Sequence, residues 1–508
     1  MDKNYNPDKV GLLVAAILAL FSFVIFLSYH NIADGDLWAR LVQGASIWKT
    51  GNLINEDIFA FTQVLKEYID HEWGSGLVFF SLLKLFGPES LLWFKILSAL
   101  GAVFFAFATA RLNNVKWPVI FLLAIPCVLT AFPGYVPVVR SHVFTFLFFA
   151  VTIFCLEKTR KGARWPIFVI PLIMLLWVNT HGGFISGLGI IFIYTIFSLD
   201  RRPLFKKMFF ITAACVVVTL INPYGVRLWG YLWPALIMER HGIGEWGSIP
   251  LLGMDSNIGF RILFVMFIIM LFVGRKRIKN KSSIYDFIII AITAYLAMRH
   301  RRHAPFFGLA VLMFMGPYFE ALLESINMYI KPVYALISYA AIAFMAAFFI
   351  LPRVSFQVLA PVGFYPVRET DILMHSKAKG NVITPLRWGN YVMWRLYPNV
   401  KISMCGRYEA MYPKSTYDMN YDFFFKKGDA WDRIVRNYNV DYVLLESNNT
   451  ALTHEDLKKL GFERIWRSEY SALYAKERHV DALNSTASRL PPETIQPLDA
   501  KIPDTWNL

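Results

Sequence analysis

Two carboxylates separated by a glycine, Asp34-Gly35-Asp36, stand just after the first long apolar run of this 508-residue chain. Residues 29–74 hold seven acids (Asp34, Asp36, Glu56, Asp57, Glu67, Asp70, Glu72) against three bases (Arg40, Lys49, Lys66), in a protein of formal net charge +15. Carboxylates gathered beside apolar sequence are disfavoured unless paired, hydrogen-bonded or bound to a cation, so the segment reads as a cation site or as a place for acid/base work. Leu37, Leu41, Ala45 and Trp48 recur at helical spacing, Lys49 falls in the last turn and Gly51 follows, which predicts Asp36 as the N-cap of an interfacial amphipathic helix. Asp34 is left with no structural duty beyond an Asx-type turn with Gly35, and is therefore the first candidate for a catalytic acid or base, with Asp36 as the substitute. Asp70-His71-Glu72-Trp73 closes the segment. Asp36 and Glu72, with His71 beside them, offer ligands to a divalent cation, Mg²⁺ or Mn²⁺, and a solvated charge cluster at a helix start explains the same letters.

Further polar clusters stand at the ends of later apolar runs: Arg140-Ser141-His142, Asn179-Thr180-His181-Gly182-Gly183, Asn222-Pro223-Tyr224-Gly225 and Arg299-His300-Arg301-Arg302-His303. Arg140 reads equally as a snorkelling arginine. Asn179 and His181 read as helix caps, and Gly182-Gly183 as a place of close packing.

The elements that must position these residues are membrane spans. With 56% hydrophobic and only 17% charged residues, the chain is too apolar for an ordinary soluble protein. Val10 to Ser28 is uncharged and long enough to cross a bilayer. Further runs follow near residues 89–110, 117–132, 141–157, 165–181, 183–198, 208–222, 259–274, 284–298, 304–323 and 331–351, for about eleven crossings. Residues 74–86 fit a re-entrant or interfacial helix better, because a separate crossing would spoil the charge alternation. The basic residues are scattered in clusters between these runs, such as Lys158 to Lys161, Arg201-Arg202 and Arg275-Lys276-Arg277. That pattern speaks for orientation by the positive-inside rule and against nucleic-acid binding. Cys127, Cys155, Cys215 and Cys405 form no close pair, so neither a disulfide framework nor a zinc site is expected.

The division predicted is a cytoplasmic N-terminus and first span over 1–28, an extracytoplasmic acidic loop over 29–74, a transmembrane bundle over 75–352, a soluble α/β domain over 353–480 and a flexible tail over 481–508. In the α/β domain, residues 381–384, 400–404, 442–446 and 471–475 alternate as strands, while 431–438 and 454–460 look helical. Gly406-Arg407-Tyr408-Glu409 follows a strand, where such domains bind ligands. The fold class is thus an α-helical polytopic membrane protein with a small C-terminal extracytoplasmic α/β domain.

This order of parts, with Asp34-Gly35-Asp36 directly after the first span, resembles the GT-C superfamily of membrane glycosyltransferases, which includes protein O-mannosyltransferases, aminoarabinose transferases and oligosaccharyltransferases. Asp36-Leu37-Trp38, Asp57-Ile58-Phe59, His71-Glu72-Trp73, Trp177 to Gly183 and Asn222 to Gly225 are similar to segments of uncharacterised bacterial members. The chain has Asp-Gly-Asp where the mannosyltransferases have adjacent Asp-Glu, and it lacks the Trp-Trp-Asp-Tyr-Gly motif of oligosaccharyltransferases. The resemblance implies a polyprenyl-phosphate sugar donor, an inverting transfer outside the plasma (inner) membrane, and a glycan, lipid or protein acceptor of the cell envelope. In that setting Asp34 or Asp36 is the expected base. Arg299, Arg301, Arg302 and His303, with Arg140 and His142, are the cations expected to meet the leaving phosphate. Asn179, His181, His71 and Glu72 are candidate sugar ligands. Trp388, Tyr391 and Trp394 either stack on an acceptor glycan or pack in the domain core. The competing readings are a polymerase or ligase of lipid-linked oligosaccharides, and a non-enzymatic transport or assembly protein.

Overall fold

The computed structural model describes residues 7–136, 139–237, 244–253, 257–273, 284–491 and 496–497. The basic cluster Arg275-Lys276-Arg277 and the tail residues Pro492 and Pro503 lie outside the described residues. The chain divides into two compact units, each made of two stretches: Met1–Asn31 with Leu92–Phe356, and Ile32–Leu91 with Gln357–Leu508. The acidic segment is thus grouped with the C-terminal part of the chain.

The first unit is helical. Every run expected to span forms a helix: Pro7–Tyr29, Glu89–Leu112, Trp117–Ala131, His142–Arg160, Pro166–Val178, Phe184–Ile196, Arg202–Val218, Ile258–Val273, Ile284–Arg299, Ala304–Phe314 with Gly316–Ser325, and Pro332–Met345. Among the described residues, five helices are long and apolar enough to cross a membrane, or six if the pair Arg301–Phe314 and Gly316–Ser325, bent by 57°, is one broken span. This is fewer than the crossings expected. Pro166–Val178 and Phe184–Ile196 have 13 residues each, hence about 20 Å of helix against the ~30 Å of a hydrocarbon core.

Two buried charges in this unit are matched by named partners. Lys95 is fully buried and donates from Nζ to the carbonyls of Leu27 (2.8 Å) and His30 (2.7 Å), so an ammonium caps the end of the Pro7–Tyr29 helix where carbonyls lack intrahelical partners. Buried Glu157 accepts from Arg160 Nε (2.9 Å) and from the Tyr194 hydroxyl (2.7 Å), as an ionised side chain in apolar surroundings requires.

The second unit carries the sheet. Its strands are β1 (Leu359–Ala360), β2 (Gly380–Ile383), β3 (Val400–Ile402), β4 (Tyr442–Glu446), β5 (Phe462–Arg467), β6 (Ser471–Lys476) and β7 (Gln496–Pro497). The main sheet has the order β3-β2-β4-β6-β5, with β2 parallel to β3 and β4, and β6 antiparallel to β4 and β5. β5 was not expected from the sequence: its register shifts between Arg464 and Trp466, and that irregularity breaks the alternation that marks a strand. The first residues of the expected flexible tail also differ from expectation. Val480–Arg489 is a helix with Leu483 buried, held by Arg368 Nη2 donating to the carbonyls of Ala487 and Leu490, 3.0 Å each.

In the same unit, the helices Gly35–Thr50 and Trp73–Phe86 pack backbone against backbone. A Cβ on Gly44 would fall 2.1 Å from the Gly76 carbonyl oxygen, and one on Gly76 would fall 2.6 Å from the Arg40 carbonyl oxygen. No rotamer change relieves a clash with backbone. Gly44→Ala is therefore expected to destabilise the protein by about 3 kcal/mol, read as a lower thermal midpoint in detergent. Gly189→Ala, where a Cβ meets nothing within 4 Å, should leave the midpoint unchanged.

Candidate functional site

The acidic motif is set on the α/β domain by main-chain and side-chain bonds. Ala33 N donates to the Leu359 carbonyl (2.8 Å), the Tyr365 hydroxyl donates to the Ala33 carbonyl (2.7 Å), and Asn390 Nδ2 donates to the Gly35 carbonyl (3.0 Å). Asp34, not Asp36, is the N-cap. It is extended at φ −77°, ψ 151°, its Oδ1 accepts from Asp36 N at 2.9 Å, and the helix runs Gly35–Thr50. The capping role read for Asp36 therefore belongs to Asp34. The apolar spacing gave the face of the helix correctly, but that spacing is the same whether the helix starts at residue 35 or 37. Asp36 falls in the first turn, where the helix dipole favours a negative charge. Both acids are half-buried.

Arg40 lies one turn after Asp36 and is almost fully buried. Its guanidinium bonds Asp70 Oδ1 through Nη1, lies 3.6 Å from Glu72 Oε2 through Nε, and approaches the Tyr68 hydroxyl at 3.4 Å. Burial alone would lower the Arg40 pKa, but Asp70, Tyr68 and Glu72 outweigh it and hold the group charged. Asp70 Oδ1 also accepts from Glu72 N at 3.0 Å, and His71 Nε2 lies 3.6 Å from Glu72 Oε1. Asp70 and Glu72 thus serve first to neutralise Arg40. Among the described residues, no three His, Cys, Asp or Glu side chains converge as a metal ion would need.

The loop after β3 also has a structural use. Arg407 is buried; its Nη2 donates to Asp57 Oδ2 (3.3 Å), and the Tyr412 hydroxyl donates to the same oxygen (2.9 Å). Asp57 Oδ1 accepts from the backbone of Phe59 (2.7 Å) and Ala60 (3.3 Å). A Cβ on Gly406 would fall 2.5 Å from Asn390 Nδ2, so this glycine makes room for the amide that holds Gly35. Trp388, Tyr391 and Trp394 are buried, and Trp38 packs edge-on to Tyr365 and Tyr391. They are core residues, not an exposed stacking platform. The exposed polar group here is Arg387, whose Nε donates to Glu446 Oε1 at 2.7 Å. The pair links the first turn of the Leu386–Leu396 helix, which follows β2, to the last residue of β4, on the side where the strand order reverses and open α/β sheets receive ligands. Gly35 is next to it, since a Cβ there would lie 3.7 Å from the Arg387 carbonyl.

In the helical unit, the structure brings together only part of the expected basic group. Arg140 and Arg302 converge on Glu245, which the sequence reading missed: Arg140 Nη1 lies 2.6 Å from Glu245 Oε2, and Arg302 Nη1 lies 3.4 Å from Oε1. Arg301 Nε instead donates to the Ser248 carbonyl (3.2 Å), His303 Nδ1 faces the Leu296 carbonyl (3.4 Å), and Arg299 is exposed. His142 is bonded through Nε2 to the Gly134 carbonyl. Asn179 Nδ2 donates to the carbonyls of Leu175 and Ile221, 2.9 Å each, tying two helix ends. His181 Nδ1 accepts from Gly183 N (2.9 Å) and pairs with Thr145 Oγ1 (2.8 Å). A Cβ on Gly183 would fall 2.3 Å from that Thr145 oxygen, so close packing explains the glycine.

No family model and no curated protein matches the sequence. Solved structures do match the fold. The chain superposes on the oligosaccharyltransferase of Archaeoglobus fulgidus tethered to an acceptor peptide containing the NVT sequon, with TM-score 0.56 and 12% identity over 87% of this chain and 69% of that one. It also superposes on AglB from Archaeoglobus fulgidus in complex with an inhibitory peptide and a dolichol-phosphate, with TM-score 0.56 and 11% identity over 95% and 75%. A weaker likeness, TM-score 0.49 and 12% identity over 92% and 98%, is to ArnT from Cupriavidus metallidurans bound to undecaprenyl phosphate. The chain therefore shares its overall fold with these two oligosaccharyltransferase structures.

Removing one partner of a buried ion pair strands the other. Asp70→Asn is expected to cost about 3 kcal/mol by weakening the hold on Arg40, read as a lower thermal midpoint. The paired change Arg40→Met with Asp70→Leu should recover most of that loss.

Proposed function

We propose that this chain is a membrane glycosyltransferase that moves a sugar from a polyprenyl-phosphate-linked donor to an extracytoplasmic glycan, lipid or protein, with inversion. The observation that carries the reading is the fold, which over 95% of the chain follows that of an oligosaccharyltransferase solved with a dolichol-phosphate. The acceptor hydroxyl attacks the anomeric carbon. Its proton passes to the Asp34 carboxylate, with Asp36 as the substitute, while the bond from the anomeric carbon to the phosphate oxygen breaks. Arg140 and Arg302 meet the negative charge gathering on the leaving polyprenyl phosphate. Arg299, Arg301 and His303 are further candidate cations for its headgroup, and Asn179, His181, His71 and Glu72 are the proposed hydrogen-bonding groups for sugar. In this reading the protein is multi-pass in the plasma (inner) membrane, with residues 353–480 extracytoplasmic.

The divalent cation expected at Asp36 and Glu72 fits these residues poorly. Glu72 faces Arg40 and His71, and the described residues supply no third ligand.

The capping role of Asp34 makes a clean test available. Asn is as good an N-cap as Asp, so Asp34→Asn keeps the helix start but removes the base. Transfer from a polyprenyl-phosphate sugar should fall by roughly 100-fold or more with the thermal midpoint unchanged. Full activity in Asp34→Asn, with loss in Asp36→Asn, would move the base to Asp36; full activity in both would sink the assignment of this motif to chemistry.

A further inference from the structure

Arg140, Glu245 and Arg302 come from three separate segments: the turn before the His142–Arg160 helix, the short turn Gly244–Trp246, and the turn Arg301–His303. Arg140 is nearly bidentate to Glu245, with Nη1 2.6 Å from Oε2 and Nη2 3.3 Å from Oε1, and Arg302 reaches Oε1 at 3.4 Å while lying 4.4 Å above the Trp246 ring. The side chains are 19%, 29% and 26% exposed for Arg140, Glu245 and Arg302, so the group is open to a ligand.

Glu245 is not needed to hold its own segment. Trp246 O faces His300 Nδ1 (2.7 Å), Gly247 O accepts from Arg301 N (3.0 Å), Ser248 O accepts from Arg301 Nε (3.2 Å), and Ile249 N donates to Met298 O (3.0 Å). These bonds lay residues 246–249 along residues 298–301 without any part of the Glu245 carboxylate. What that carboxylate does is fill the space between two guanidinium groups. A carboxylate and a phosphate present the same pair of anionic oxygens to an arginine fork. Burial would raise the Glu245 pKa, but Arg140 and Arg302 bring it down to about 2, so the group is ionised wherever the protein works.

We propose that Glu245 is the resident anion of a phosphate subsite: it keeps Arg140 and Arg302 converged and is displaced from them by the phosphate of the lipid-linked donor. This rests on the glycosyltransferase reading above. The internal carboxylate sets a threshold, because an incoming anion must compete with a tethered one for the same N–H groups. Displacing it costs the same for any anion, so what differs is the gain on the other side: a donor phosphodiester carries one negative charge and the departing phosphate gains a second, and the two guanidinium groups offset the cost more fully for the leaving group than for the donor. Glu245 is on this view a specificity-determining residue, whereas the arginines touch the substrate.

The test is titration of the full-length protein, in phosphatidylcholine nanodiscs, with undecaprenyl phosphate. Glu245→Gln, which keeps hydrogen-bonding shape without the charge, should bind roughly five- to tenfold tighter than wild type; Arg140→Gln and Arg302→Gln should bind more weakly. A gain in affinity cannot arise from misfolding. Weaker binding by Glu245→Gln would overturn the proposal and make the residue a support for the arginines. Equal binding by wild type and all three variants would remove the subsite from this place while leaving the transferase reading intact. Failure of wild type to bind the lipid at all would count against the transferase reading itself. Inorganic phosphate competing as well as the lipid would mark a free-phosphate site and overturn the donor assignment.

Discussion

An ionised side chain in a chain this apolar must be matched by a partner of opposite sign or a set of backbone dipoles, and the rest of the architecture depends on where those matches are made. The pair of Asp57 and Arg407 joins residues 350 apart in sequence. Both are buried, and Tyr412 and two backbone N–H groups take up the remaining oxygen sites of the carboxylate. Losing either partner of such a pair typically costs about 3–5 kcal/mol, because an uncompensated charge is left behind. Arg40 with Asp70 repeats the device between the Gly35–Thr50 helix and the turn that precedes the Trp73–Phe86 helix. The acidic segment is therefore not a loose loop between spans but a part of the C-terminal unit, fixed at several points to the α/β domain.

This fixing gives the Asp34 carboxylate a structural duty. One oxygen accepts the Asp36 N–H and starts a helix, and that helix is buried through Trp38 in the aromatic cluster of Tyr365 and Tyr391. A carboxylate that caps a helix has its position set by the backbone rather than by a mobile rotamer. Asn390, held in turn against Gly406, pins the carbonyl of the neighbouring residue. The motif is thus pre-arranged by contacts that involve no ligand.

Much of this was legible in the sequence, and the parts that were not share a cause. Apolar runs mark the helices because a helix shows its burial in consecutive letters, and the acidic segment stands out against a basic chain. The strands β2, β3, β4 and β6 show their alternation, and β5 loses it at the Arg464 and Trp466 irregularity. What the letters could not show were matches made across the fold. Glu245 is a single acid in a short turn, and only the placement of Arg140 and Arg302 gives it meaning. Gly44 and Gly76 are ordinary letters until two backbones meet at them. The capping role that falls to Asp34 instead of Asp36 is subtler: apolar spacing reports the face a helix buries, while its first residue is decided by which side chain turns back on the backbone.

The bonds that seat the motif have an implication for how the protein is made. Ala33 is held by Tyr365, 332 residues later, and Gly35 by Asn390, 355 residues later. At a synthesis rate of about 5–20 residues per second, the acidic segment leaves the ribosome on the order of half a minute before its supports exist. Through that interval its charges are unmatched by the C-terminal part of the chain. Competence is thus a property of the finished polypeptide: a product truncated before the α/β domain would insert its spans yet carry the motif unseated.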